Sequence, residues 1–309
     1  MQTPPEITPA SWGMVATLGL VWGATFMFIE LALEGITPFW LAAGRIGFAA
    51  LLAVAIWQMR GGRLFLTQET GWTALAVAGL FNSAVPFMLL SWGQQTVTSG
   101  FAGVSMASGA LIMLPLAHVF VPGEWITLRR TIGMLVGFVG VAVLLGGQAF
   151  VSSGDPMEPY GRLACFGAAT CYAISSVLMR RLPPVDPFGL AVLALVFGSM
   201  LVIPAALVVE GPPPLPDTRT LWIVALLGLI PTAGANMLRI LVIRSAGPVF
   251  MSLVSYQVPM WSVILGIVVL DEPFRPVLLL AMGLILLGVL VSQWGALNRL
   301  FRRRVTPSS

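Results

Sequence analysis

The chain has 309 residues, of which 58% are hydrophobic and 9% are charged. Soluble domains carry about 25% charged residues, so this chain has too few charges to keep a globule of its length in water. The composition therefore predicts an integral membrane protein surrounded by a lipid bilayer. The formal net charge of +4 predicts no nucleic-acid partner, because the positive residues lie in short turns and at the C-terminus rather than along one face.

Composition also limits the chemistry that the chain can perform. Cys165 and Cys171 lie six positions apart on one apolar segment and would point to different faces of a helix. They predict neither a disulfide nor a metal site, and we expect no cofactor. Residues 1 to 11 lack the basic start of a cleavable signal, so the apolar run that begins at Trp12 is expected to remain as a span.

A repeat organises the sequence. The segment 36–42 recurs at 185–191, 149 positions later, with Pro, Phe, Leu and Ala in matching places. Segments 78–80 and 227–229 match at the same offset, and Glu124 falls on Glu272 at an offset of 148. The chain is therefore predicted to contain two copies of one unit.

Runs of about 20 apolar residues are typical of transmembrane helices. The first copy supplies five of them, at 12–34, 38–57, 71–93, 98–120 and 129–147. The second copy supplies five more, at 161–181, 187–209, 220–243, 248–270 and 276–297. Because five is odd, the second copy must enter the membrane from the opposite side. The predicted fold is an all-α integral membrane protein with ten transmembrane helices arranged as two inverted five-helix repeats.

The sixteen positive residues are all arginines, and they predict the orientation. Eleven lie in alternate turns and the C-terminal tail, at positions 60, 63, 129, 130, 180, 181, 244, 299, 302, 303 and 304, and three lie on the other side, at 162, 219 and 275. This asymmetry favours both termini in the cytoplasm. The predicted organisation is a cytoplasmic tail (1–11), the first repeat (12–147), an outer linker (148–160), the second repeat (161–297) and a basic cytoplasmic tail (298–309).

Inverted repeats are typical of secondary transporters, whose substrate site lies at the midplane and is marked by interrupted helices. Span three carries Asn82 and Pro86, and span eight carries Pro231 and Asn236. Proline frees helix carbonyls, which in lipid must find a partner in protein, water or substrate. The two asparagines are therefore predicted to line the site, although an amide that only bonds across a helix interface would also fit the pattern.

Further candidates for substrate binding lie on the remaining central spans. Trp22 and Tyr172 occupy equivalent places in spans one and six, away from the interfacial belt that these residue types prefer. They would stack on an apolar or aromatic substrate, or only pack between helices. Spans four and nine offer small and polar residues on their faces, namely Ser105, Ser108, Ser255 and Tyr256, with Pro259 in the same stretch.

Ionisable residues inside spans are functional candidates by default. Arg45 lies about 10 Å into span two from its outer end, and Glu30 and Glu34 lie near the outer end of span one. A pair between Arg45 and one of these acids would serve as an outer gate or as a static brace. The predicted gating or hinge residues are Glu30, Arg45, Pro86, Pro231 and Pro259. Glu124 and Glu272 precede new helices and are expected to act as helix N-terminal anions.

A family resemblance follows from Trp22-Gly23 in span one, Arg45 in span two, the Glu124 and Glu272 turns, and Gly140 and Gly288. With these residues the chain resembles, from about 12 to 296, the EamA branch of the drug/metabolite transporter superfamily, and within it YddG-type exporters of amino acids. The resemblance implies a central cavity lined by spans one to four and six to nine. It also implies rocking between outward and inward openings, and metabolite or amino-acid efflux across a bacterial inner membrane. One departure is that Leu111 stands where the second copy has Pro259.

These patterns predict a secondary transporter that exports a small-molecule substrate, a neutral or aromatic amino acid, by alternating access. The alternatives are an exporter of drugs or of another metabolite class, and a membrane protein without flux. A membrane-embedded lipid enzyme would need clustered acids or histidines, and the chain has one histidine and no acid near the middle of a span. We therefore expect no enzyme activity. The sequence leaves open whether the protein is a monomer or a homodimer.

Overall fold

The computed structural model of the chain describes residues 7–62, 64–66, 71–121, 125–146 and 155–302. Within these residues, ten helical segments are long and apolar enough to cross a membrane. Spans one to five are Pro9–Leu33, Pro38–Met59, Trp72–Gly93, Ser99–Phe120 and Leu128–Gly146. Spans six to ten are Glu158–Met179, Pro187–Glu210, Thr218–Ala246, Pro248–Val269 and Pro276–Arg302. The predicted all-α fold of two inverted five-helix repeats is confirmed.

Local chemistry explains where the helices begin. Span one starts at Pro9 rather than at Trp12, because the Thr8 side chain accepts a hydrogen bond from Ser11 N at 3.3 Å and caps the helix. Asp186 and Asp217 cap spans seven and eight in the same way, each accepting from a backbone N–H at 2.8 Å. The Thr8 and Asp217 caps lie outside the apolar runs, so spans one and eight begin before the ends that hydrophobicity marks, whereas span seven begins at Pro187 as predicted.

The helix bundle has two sides, at which the spans begin and end. The tail side is the side on which span one begins, and the linker side is the side on which span five ends and span six begins. On the tail side, the turn after span two pairs with the turn before span seven: Leu66 N donates to Pro184 O at 3.0 Å, and Asp186 N donates to Leu64 O at 2.8 Å.

On the linker side, the end of span seven contacts the start of span two. The Glu210 carboxylate at the end of span seven accepts hydrogen bonds from Thr37 Oγ1 at 2.6 Å, Phe39 N at 2.9 Å and Trp40 N at 3.1 Å. An acid from one repeat thereby caps the N-terminus of a helix in the other. On the tail side the end of span two contacts the start of span seven, and on the linker side the end of span seven contacts the start of span two. This reciprocal pair of contacts is expected for inverted repeats.

Spans five and ten pack against each other through small residues. A Cβ added at Gly288 would lie 2.5 Å from Gly133 O and from Gly137 N, and a Cβ at Gly140 would lie 2.8 Å from Ile285 N. The two backbones therefore approach within a distance that only glycine allows. The structure places these glycines in a contact within one chain.

Four spans are interrupted. Span three breaks at Ser83, span four at Ser108, and span nine between Met251 and Val254. Span eight contains a π-helical turn, Gly228–Gly234, between two α-helical pieces. The interruptions in spans three and eight follow the sequence prediction, whereas those in spans four and nine do not lie at equivalent positions of the two repeats.

Candidate functional site

The π-helical turn of span eight is where side chains of both repeats meet. Pro231 has no N–H to donate, so backbone carbonyls in this turn need other donors. Thr232 Oγ1 donates to Leu227 O at 2.8 Å, and Asn236 Nδ2 donates to Thr232 O at 2.6 Å. Trp22 Nε1, from span one, donates to Pro231 O at 3.0 Å. These side chains satisfy the irregular backbone, and π-turns of this kind occur frequently at functional sites.

Arg45 of span two reaches the same turn. Its Nε donates to Thr232 Oγ1 at 2.8 Å, and its guanidinium carbon lies 3.8 Å from the centroid of the Phe87 ring. The residue is 6% exposed. Tyr172 of span six is close enough to interact with it electrostatically. A midplane cluster is thus formed by residues of spans one, two, three, six and eight, namely Trp22, Arg45, Phe87, Tyr172, Thr232 and Asn236.

The predicted pairing of Arg45 with Glu30 or Glu34 is wrong. Glu34 forms an exposed ion pair with Arg219 at 2.9 Å, and Glu30 accepts a hydrogen bond from Ser99 N at 3.0 Å. Both acids are near Arg45 along the chain, but span four and the start of span eight offer them donors closer to their own end of span one. The buried cation is left with a hydroxyl and an aromatic ring as its partners.

On the linker side of the midplane cluster, spans four and nine close against each other. A Cβ at Gly103 would lie 1.9 Å from Ser262 Oγ and 3.2 Å from the Phe26 ring. Glu272 accepts hydrogen bonds from Ser99 N at 2.7 Å and Gly100 N at 3.2 Å. The prediction that Glu272 is a helix N-terminal anion therefore needs correction in one respect, because it caps span four rather than span ten, which follows it. Its predicted counterpart Glu124 lies outside the described residues.

On the tail side, spans four and nine separate. Ser255 and Ser262 are seven residues apart on span nine and therefore share one helical face. Ser262 is fully buried at 0% exposure against span four, whereas Ser255 is exposed. The face that is sealed on the linker side is thus open two turns closer to the tail side. The midplane cluster lies next to the closed layer that spans four and nine form on its linker side.

The other predicted binding residues do not join the cluster. Ser105 and Ser108 are fully buried, and their hydroxyls donate to Ala102 O at 2.7 Å and Ser105 O at 2.5 Å, within their own helix. Asn82 is half-buried, beside the break at Ser83, and its amide makes no hydrogen bond with the described residues. None of these three residues forms a hydrogen bond with a described residue of the midplane cluster.

Tyr256 lies in a separate groove. This groove, with a volume of about 510 Å³, runs between spans one, nine and ten on the tail side and is lined mainly by apolar side chains such as Trp12 and Trp294. The buried Tyr256 hydroxyl has no hydrogen-bond partner among the described residues. Spacing along span nine put Tyr256 beside Ser255, but the two side chains lie on different faces of the helix.

The predicted hinge prolines have different surroundings. Pro86 is the third residue of the second piece of span three, where a helix does not need its N–H, so the break falls at Ser83 instead. Pro231 lies within the π-turn. Pro259 lies inside the continuous helix Val254–Val269, and its carbonyl accepts from Ser262 Oγ at 2.9 Å.

Two residues of the cluster were not identified from the sequence. Phe87 and Thr232 directly follow Pro86 and Pro231, so the position after each proline would have identified them in the sequence. Neither type is unusual inside a span, which is why composition did not single them out. Among the described residues, no group of three or more histidines, cysteines or acids is placed to hold a metal ion.

The EamA-like transporter family model matches residues 11–146 and again residues 159–294. The chain is 26% identical to the uncharacterized inner membrane transporter YedA of Escherichia coli (strain K12), over 92% of this chain and 90% of that protein. It is 28% identical to a probable terminal-alkyne amino-acid exporter of Streptantibioticus cattleyicolor, over 47% of this chain and 48% of that one.

The fold also has a solved counterpart. A crystal structure covering 93% of this chain and 98% of its own superimposes with a TM-score of 0.64 at 21% identity, which is a likeness of fold. The family model matches each of the two five-span repeats separately, in agreement with the duplication seen in the sequence and the helices. The chain therefore belongs to the EamA-like transporter family.

Proposed function

We propose that the protein is a secondary transporter that exports small amphipathic metabolites, with neutral or aromatic amino acids as the first candidates, by alternating access. The observation that carries this proposal is the position of the midplane cluster. It is built from both repeats at an irregular helix turn, with a closed layer of spans four and nine on its linker side and the exposed Ser255 closer to the tail side. Polar groups at such a position fix a solute, and aromatic rings cover it.

The proposed direction of transport, which is export, and the proposed cargo have separate support. The arginine distribution favours a cytoplasmic tail side, so the exposed Ser255 would lie on the side of the closed layer that faces the cytoplasm of a bacterial inner membrane. The resemblance to YddG-type exporters and the similarity to the terminal-alkyne amino-acid exporter both favour amino acids as cargo. In this arrangement, Trp22 and Tyr172 would cover the side chain of the solute, and Asn236 would offer its amide oxygen.

The test is counterflow in liposomes that contain only the purified protein. Liposomes preloaded with unlabelled phenylalanine should accumulate labelled phenylalanine without any imposed pH gradient, and protein-free liposomes should not. Accumulation that requires a pH gradient would indicate proton coupling. Folded protein that moves no amino acid under either condition would contradict the proposed cargo and favour a drug or another metabolite class.

Asn236→Leu tests the site itself. The substitution removes the amide that holds Thr232 O and faces the cluster, and we expect counterflow to fall to the level of protein-free liposomes while the protein still elutes as a single folded species. The folded state should persist because one hydrogen bond contributes about 1 kcal/mol. Asn298→Leu, at an exposed position of span ten, is the matched control. Unchanged flux in Asn236→Leu would remove Asn236 from the site.

A further inference from the structure

Arg45 is a buried cation without an anionic partner. It is 6% exposed, and no ion pair of the described residues includes it. The acids of span one are used elsewhere, Glu30 at Ser99 N and Glu34 at Arg219. A charge inside a membrane protein is costly unless an opposite charge or a full set of hydrogen bonds compensates it. The described residues supply neither.

The unsatisfied part of Arg45 is its two amino groups. A guanidinium has five N–H donors, and only Nε–H has an acceptor here, the Thr232 hydroxyl at 2.8 Å. The amino groups have no acceptor among the described residues, and neither of them is sealed off from accessible space. Their four N–H bonds form a planar fork whose spacing matches the two oxygens of a carboxylate.

The residues around Arg45 hold its guanidinium in place and determine which ligands can reach its two amino groups. Thr232 fixes Nε, and the Phe87 ring lies 3.8 Å from the guanidinium carbon, so the edge that carries the two amino groups remains for a ligand. The other members of the cluster, Trp22 and Tyr172, present aromatic rings. No acid of the described residues joins the cluster, so a ligand's ammonium group would find no carboxylate there.

From these contacts we infer that Arg45 binds the carboxylate of the transported solute, and that the substrate class is monocarboxylates with an apolar or aromatic body. The inference rests on the proposed function and narrows it. The carboxylate is the required group, and an amino group is tolerated but not needed. Zwitterionic amino acids then qualify through their carboxylate, and organic amines without one do not.

The first arm of the test uses the wild-type protein and measures binding. The thermal unfolding midpoint of the full chain in detergent is recorded with 3-phenylpropanoate, which has a carboxylate and no amine, and with phenethylamine, which has an amine and no carboxylate. We expect the carboxylate to raise the midpoint and the amine to leave it unchanged. Protection by phenethylamine equal to that by 3-phenylpropanoate, or no protection by the carboxylate, would overturn the inference.

The second arm changes the residue. Arg45→Gln should weaken 3-phenylpropanoate binding about tenfold to a hundredfold, the range expected for hydrogen bonds to a charged group. Arg45→Lys should retain part of the affinity, since it keeps the charge and loses the fork. Arg244→Gln, at an exposed position near the tail end of span eight, is the control. Wild-type affinity in Arg45→Gln would show that Arg45 is only a brace for Thr232.

The experiments distinguish a failure of the proposed transport function from a failure of the inference that Arg45 binds a carboxylate. Carboxylate binding that depends on Arg45, in a protein that shows no counterflow of any carboxylate, would support the inference about the site and contradict transport. Counterflow of phenylalanine that phenethylamine inhibits as well as 3-phenylpropanoate does would support transport and contradict carboxylate recognition. If Arg45→Gln does not fold, the wild-type comparison of the two ligands decides the question alone.

Discussion

At the residue scale, the midplane cluster depends on Thr232. Its hydroxyl donates to Leu227 O, a carbonyl left without its usual helix partner near Pro231, and accepts from Arg45 Nε. One small side chain thus joins the irregular turn of span eight to the buried cation of span two. Thr232 is 2% exposed, so water does not easily replace either bond.

Thr232→Val tests this dual role. Valine has nearly the same shape but leaves a buried carbonyl and a buried N–H unpaired, at a cost of about 1–3 kcal/mol for each group. We expect a lower unfolding midpoint in detergent and weaker carboxylate binding, because the guanidinium loses its anchor. Thr232→Ser should restore both properties. Thr17→Val, at an exposed threonine of span one, is the control. A Thr232→Val protein as stable as the wild type would contradict the role.

The sequence identified Arg45 as a functional candidate, since a charge inside a span is rare, but it did not identify its partner. Glu30 and Glu34 were the nearest acids along the chain, whereas the actual partner, Thr232, is 187 residues away. Periodicity places a side chain on a face of its own helix and says little about which distant helix covers that face. For the same reason Ser105 and Ser108 were expected at the site, although their hydroxyls bond within span four.

At the element scale, the contact between spans five and ten depends on glycines whose added Cβ would meet backbone atoms. Backbone atoms cannot swing aside as the end of a flexible side chain can, so a methyl group forces the helices apart. Gly288 is the clearest case, with three backbone atoms within 2.6 Å of its added Cβ. Gly283, on the same helix, would meet nothing within 4 Å.

We therefore expect opposite results from two alanine substitutions in span ten. Gly288→Ala should lower the unfolding midpoint and reduce the yield of folded protein, because overpacking of this kind costs about 1–3 kcal/mol. Gly283→Ala should leave the midpoint unchanged or raise it slightly, since alanine favours the helix. Thermal unfolding of the purified variants in one detergent checks both. Equal midpoints for the two variants would show that spans five and ten are less closely packed than described.

At the whole-molecule scale, the duplication and the ten spans could be read from the sequence because both depend on composition and on a repeated pattern. The conformation, meaning the side on which spans four and nine are in contact, could not be predicted in this way. The two repeats have matching sequences, yet spans four and nine contact each other on the linker side and separate on the tail side. The proposed alternating access would require the opposite arrangement as well, formed by the same sequence. The closed layer is therefore expected to open during each cycle.

A disulfide across this layer tests whether it must open. A Cβ at Gly100 lies 3.6 Å from Val263 Cα, so cysteines at these positions are within bonding reach. Gly100→Cys and Val263→Cys would be combined with Cys165→Ala and Cys171→Ala, which remove the two buried native thiols. Each single cysteine in the same background is the control, and thiol counting confirms that the bond has formed.

The deciding measurement is counterflow of labelled phenylalanine by this double-cysteine protein in liposomes, before and after addition of a reductant. We expect no counterflow when the disulfide is formed, recovery of counterflow on reduction, and no effect of oxidation on either single-cysteine control. Full counterflow in protein shown to be cross-linked would contradict alternating access through the layer formed by spans four and nine.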